Sequence, residues 1–139
     1  MPRAALDLSQ PRDVHIAERL RGDLMIWLTT VRADGRPHLA AVWFLWDGET
    51  FLIFSKPNQK IRNLRENAQV ALALDDSHGG ADPIVIEGTA EVLPHGEVTP
   101  ALDAYSKKHA QRLEALKWTP EQMGRTYSEA IRVTPTRFL

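Results

Sequence analysis

The feature that most constrains the fold is the spacing of strand-like segments between residues 23 and 55. "DLMIWLTTV" (Asp23 to Val31) is apolar, aromatic and β-branched. "RADGRP" follows, and its Asp34-Gly35 pair signals a tight turn, because glycine tolerates the positive φ such turns need. "HLAAVWFLW" (His38 to Trp46) is the next strand, and its near-continuous apolarity predicts burial on both faces. "DGE" (Asp47 to Glu49) turns the chain again into "TFLIFS" (Thr50 to Ser55). Turns this short join antiparallel neighbours; parallel strands need crossovers of a dozen residues or more. A doubly wound parallel sheet is therefore a poor fit.

The flanking segments complete the pattern. Pro11 to Leu20 reads as a short helix, with Ser9 as N-cap and Val14, Ala17 and Leu20 on one face. A second helix follows Asn58, its expected N-cap, with Ile61 and Leu64 sharing a face. "AQVALALD" (Ala68 to Asp75) and "IVIEGTAEVL" (Ile84 to Leu93) are strands, and Gly88 inside the latter marks a bulge or a close backbone approach. Thr99-Pro100 opens a longer helix with Leu102, Tyr105, Leu113 and Leu116 facing inward. "TPEQ" (Thr119 to Gln122) has the form of a capping box, and "AIRVTPTRFL" closes the chain as a strand. The sum is six strands with peripheral helices, an antiparallel barrel in a single domain over residues 1–139.

Composition narrows the function. A formal net charge of −1 argues against non-specific nucleic-acid binding. With no cysteine, thiol catalysis, disulfides and cysteine zinc sites are excluded. No stretch approaches a membrane span and "MPRAALDLSQPRDV" lacks a signal-peptide core, so a cytoplasmic location is the expectation.

Against that neutral balance, "FSKPNQKIRNLREN" gathers Lys56, Lys60, Arg62 and Arg65 at a strand-to-helix junction. A helix N-terminus exposes backbone N–H groups and the positive end of the macrodipole, which suits a phosphate. Lys60, Lys56 and the Ser55 hydroxyl stand beside it. The competing reading is a merely solvated basic face. The histidines at 15, 38, 78, 95 and 109 show no metal-type spacing and read as surface or turn residues, with His38 opening a strand of interest. Trp27 and Trp46 read as barrel filling and Trp118 as a cap between helices. Asp75, Asp76 and Asp82 read as a solvated turn, and Glu87 as an ion-pair partner for an arginine, within the chain or across a dimer.

Several elements in this order resemble the flavin-binding split-barrel superfamily, which includes pyridoxamine 5′-phosphate oxidase and the short deazaflavin (coenzyme F420)-dependent oxidoreductases. They are Thr29-Thr30 with Asp34-Gly35-Arg36-Pro37, then Val42-Trp43-Phe44, Lys60 with Arg62-Asn63-Leu64, and Glu87-Gly88-Thr89-Ala90. The match runs from Leu24 to Leu93, and the last strand is also similar. The resemblance implies a six-stranded Greek-key split barrel and a homodimer with cofactor sites built from both subunits. It implies a small-molecule acceptor and hydride transfer to or from F420, with FMN as the alternative cofactor. A non-catalytic flavin or tetrapyrrole binder is a third reading. By the same resemblance Lys60 holds the cofactor phosphate, Val42 and Trp43 line the ring, and Ser55 and Lys56 contact ring or side chain. Gln59 stands where the oxidases carry arginine, a departure that argues against tight FMN binding, and "VWFLWDGETFLIFS" before the Lys motif more closely resembles the F420-dependent group. Arg12, Arg19 and Arg21 are candidates for the anionic tail of F420.

Overall fold

The computed structural model describes residues 4–74, 79–94 and 99–139. One antiparallel sheet has the order β2-β1-β5-β6-β7-β4-β3. Its strands are β1 (Met25–Val31), β2 (Pro37–Trp43), β3 (Leu45–Trp46), β4 (Phe51–Ser55), β5 (Gln69–Leu74), β6 (Ile84–Leu93) and β7 (Glu129–Phe138). The helices are α1 (Pro11–Gly22), α2 (Gln59–Glu66), α3 (Thr99–Lys108), α4 (Ala110–Leu116) and α5 (Pro120–Thr126). No helix among the described residues is long and apolar enough to cross a membrane.

The sheet has seven strands rather than six because "HLAAVWFLW" breaks at Phe44. β2 and β3 form opposite edges of the sheet, yet Phe44 alone separates them in sequence. Two Cα steps reach at most about 7–8 Å. The edges must therefore meet, and the sheet is rolled into a split barrel. Phe44 is fully buried at this seam.

The burial expected for the second strand belongs instead to β4, all five of whose residues are buried. Phe51 and Ile53 point into the barrel, with Ile26, Leu28, Leu72, Ile86 and Ile131. Leu52 and Phe54 point outward and are covered by Tyr105 and Leu113 from the helical segment and by Met123 of α5. In β2 only Val42 is buried, and Leu39 is 61% exposed. Met25 and Trp27 of β1 lie opposite Trp43 and Ala41, so an apolar face remains uncovered on the outside of β1 and β2. Trp27 accordingly belongs to this face and not to the barrel filling. Trp46 does pack inward, against Phe51.

The helices differ from expectation in phase and length. α1 is capped at Gln10 without a side-chain bond, because Ser9 donates instead to Asp7 Oδ1 at 2.6 Å. Its inward residues are Asp13, Ile16, Ala17 and Leu20, leaving Val14 exposed. The long helix breaks at His109 into α3 and α4, and Leu116 is outward. The capping box at Thr119 is present: Gln122 N–H donates to Thr119 Oγ1 (3.1 Å) and Thr119 N–H to Gln122 Oε1 (2.8 Å). Glu87 pairs with Arg137 of its own chain at 3.4 Å.

Asp82 is not a solvated turn residue. Its carboxylate takes Arg12 (3.0 Å), Arg19 (2.7 Å) and His15 (2.8 Å), fastening α1 to the start of β6. These contacts hold its pKa far below the usual carboxylate range. Asp75, Asp76, His78 and His95 lie outside the described residues. No cluster able to hold a metal occurs among the described ones.

Candidate functional site

The roll of the sheet leaves a cavity of about 310 Å³ where β2 and β4 face one another without pairing. Ala41, Val42 and Trp43 of β2 form one wall; Phe54 and Ser55 of β4, then Lys56, Asn58 and Lys60, form the next. Tyr105, Leu116, Trp118, Met123 and Tyr127 close it from the helical side. One half is polar and cationic, the other aromatic. Of the six residues the sequence resemblance implies, Gln59 alone is absent from the lining.

The four cations of the junction separate. Arg62 and Arg65 face solvent and Lys56 is exposed at the rim, 5.5 Å above the Tyr127 ring. Lys60 is buried, 8% exposed, and no carboxylate pairs with it among the described residues. Burial pushes its pKa down. It also sits in the first turn of α2, where the macrodipole is positive. A cation held there without an anion is unfavourable for the fold.

Part of the helix terminus is already occupied. Lys60 N–H donates to Asn58 Oδ1 (3.3 Å), and Ile61 N–H to the Asn58 carbonyl (3.1 Å). Ser55 Oγ donates to the Lys56 carbonyl at 2.8 Å, so its one proton is spent on the backbone and not on an anion in the cavity. What the cavity offers an anion is thus side-chain ammoniums more than backbone amides, a revision of the open helix end expected from sequence. Gln59 is spent elsewhere: its Nε2 donates to Asn63 Oδ1 (2.6 Å) and its Oε1 accepts from Arg62 (2.8 Å).

Sequence reasoning missed the support behind Trp43. His109 is 1% exposed and stacks on Trp43, centroids 4.9 Å apart and planes 7° from parallel. Its Nε2–H donates to the Phe44 carbonyl at 2.9 Å. Lys108 Nζ lies 3.6 Å from the centre of the Phe44 ring. The end of α3 therefore clamps the seam. Burial pushes the pKa of His109 down to about 4 and that of Lys108 to about 8. The signal available in sequence was a histidine at helical spacing from Tyr105, which it touches at 4.8 Å. His38 is not in the cavity lining; burial, with the charges of Arg32 and Lys60, lowers its pKa.

The proposed tail arginines are engaged elsewhere. Arg12 and Arg19 are bound to Asp82, Arg19 also to Asp23, and none of the three lines the cavity.

A rolled antiparallel sheet with a cationic and aromatic cavity at its seam defines the class: a split β-barrel. The chain belongs to the pyridoxamine 5′-phosphate oxidase family, whose model matches residues 13–139. It is similar to an F420 reductase, at 26% identity and a TM-score of 0.68 over 88% of this chain and 94% of that one. A FAD-binding protein from Mesorhizobium loti shares the fold at 19% identity, with a TM-score of 0.68 over 90% of each chain. The heme storage protein HutZ from Vibrio cholerae shares it at 19% identity, with a TM-score of 0.62 over 92% of each. The family thus includes flavin-type oxidoreductases, and its fold also serves heme storage.

Proposed function

We propose that this chain is an oxidoreductase that holds F420 in the seam cavity, with the cofactor phosphate at Lys60. The observation that carries the reading is Lys60 itself, a buried cation that lines the cavity and has no carboxylate partner among the described residues. Lys60 and Lys56 line the same cavity and supply the positive charge that a phosphate ester needs. When bound, such a cofactor supplies the hydride chemistry. The chain binds and orients it. Trp43, backed by His109, is a stiff wall for a planar ring, while Trp118, Tyr127 and Leu116 exclude water from the opposite side.

FMN is the second reading, because the same donors serve its phosphate. The likeness to an F420 reductase and the withdrawal of Gln59 from the cavity favour F420. The engagement of Arg12 and Arg19 by Asp82 removes the argument from tail arginines.

Lys60→Ala is expected to weaken cofactor binding by about 1–3 kcal/mol, roughly 5- to 150-fold, as for a lost charge-assisted hydrogen bond. Thermal stability should hold or rise, since an unpaired buried cation is removed. Fluorescence titration with F420 and with FMN reads this; unchanged affinity for both would reduce the basic junction to an ordinary helix surface.

The uncovered face of β1 and β2 fits a second copy of the chain. Met25, Trp27, Leu39 and Ala41 are exposed, and Ala41 and Trp43 carry the face to the cavity mouth. A partner seated there would complete the cavity wall. Light scattering should give a dimer, and Trp27→Asp a monomer with weakened cofactor binding. A monomeric wild type would remove the shared-site part of the reading.

A further inference from the structure

Lys60 requires an explanation that its own position does not give. Successive residues on an α-helix are roughly 100° apart. Ile61 and Leu64 alone would centre the buried face of α2 between them, roughly 70° away from Lys60, which would leave the lysine at the margin. The observed buried set is Lys60, Ile61, Asn63 and Leu64. Its centre lies roughly 20° from Lys60, so the helix is rolled by about 50° toward Asn63.

What holds the roll is a buried polar contact. Asn63 is 2% exposed and Thr30 of β1 is fully buried. Asn63 Nδ2–H donates to Thr30 Oγ1 at 2.9 Å, and its Oδ1 accepts from Gln59 at 2.6 Å. Both ends of the amide are used, which fixes its orientation. An amide buried under an eight-residue helix is a costly way to fill space, since an apolar residue of equal volume packs without needing a partner. The bond has the property an apolar contact lacks: it is satisfied at one helix rotation only.

We propose that Asn63, through its hydrogen bond to Thr30, is a positioning residue that sets the rotation of α2 and keeps the Lys60 ammonium turned into the seam cavity. The inference rests on the reading of Lys60 as the phosphate anchor. It goes beyond that reading in placing the control of the anchor in a pair outside the cavity lining.

The test uses the full chain with Asn63→Leu, which keeps the volume, together with Thr30→Val and Lys60→Ala. Affinities for F420 and for its deazaflavin ribityl core, which lacks the phosphate, are measured in parallel. Asn63→Leu and Thr30→Val should each weaken F420 about tenfold and leave the core unchanged. In the Lys60→Ala background neither should weaken F420 further. Equal losses for both ligands, or losses that add to that of Lys60→Ala, would make the pair a packing feature and overturn the proposal.

A second readout needs no ligand. Lysines are methylated with 13C-formaldehyde, and the Lys60 resonance is assigned by its absence in Lys60→Arg. Its titration should move to the position of an exposed lysine in Asn63→Leu. If it does not move, the proposal fails even where binding changes. If it moves while Lys60→Ala leaves FMN and F420 affinity intact, the positioning stands and the phosphate reading fails.

Discussion

Replacing Gly88 by alanine should destabilise the fold by about 2–4 kcal/mol, a fall of roughly 10 °C in Tm for a chain of this size. The reason is distance and not dihedral strain. A Cβ at Gly88 would lie 2.6 Å from the Thr134 carbonyl oxygen and 3.1 Å from Val133 Cγ1. The oxygen cannot swing aside as a side chain would, because β7 is held between β6 and β4. The pairing register also shifts here, with Glu87 opposite Arg137 and Gly88 opposite Pro135. Thr136, the extra residue, donates its hydroxyl to the Glu87 carbonyl at 3.2 Å. A methyl group would push apart strands already bent around a bulge. Gly22→Ala is the matched control, since nothing lies within 4 Å of its Cβ. Urea or thermal melts in which both variants match the wild type would mean that β6 and β7 separate at little cost.

Gly88 was legible in the sequence because a glycine interrupting a strand has few explanations. The hairpins were legible for the same reason: Gly35 and Gly48 carry positive φ in the turns where they were expected. The seam was not. Phe44 is as apolar as its neighbours, and the break there is imposed by the rolling of the whole sheet, which leaves no local mark. Burial of β2 was overread because its outward apolar residues form an uncovered face. The site was half legible. The residue types of an anion site stood together in sequence, but which cation turned inward depended on Asn63 meeting Thr30, a contact 33 residues apart. Asp82 and His109 escaped for a similar reason. Each looks like an ordinary turn or surface residue until partners more than 60 residues away are in place.

His109 gives the second large effect, read as stability against pH. Its pKa falls from 6.5 to about 4, chiefly because burial penalises the charged ring. Lys108 beside it disfavours the charge further, although the hydrogen bond to the Phe44 carbonyl partly opposes the shift. The folded value lies below the unfolded one. Between them the unfolded chain binds a proton that the native ring refuses, so acid favours unfolding. Stability should be at its full value above pH 6.5 and decline toward pH 4, by about 3 kcal/mol over the window. Asp82 acts in a separate and lower range. Its folded pKa is depressed, so its contribution is present above 3.8 and is lost only as the pH falls further. His109→Gln keeps an N–H for the Phe44 carbonyl but cannot titrate. Urea melts at intervals from pH 7 to 4 should show a steep slope in the wild type and a shallower one in the variant, where His38, whose pKa is also lowered, still titrates. Parallel slopes would mean that the ring beside Trp43 accepts its proton freely, and that the wall behind the cavity is wetter than the Trp43 stack implies.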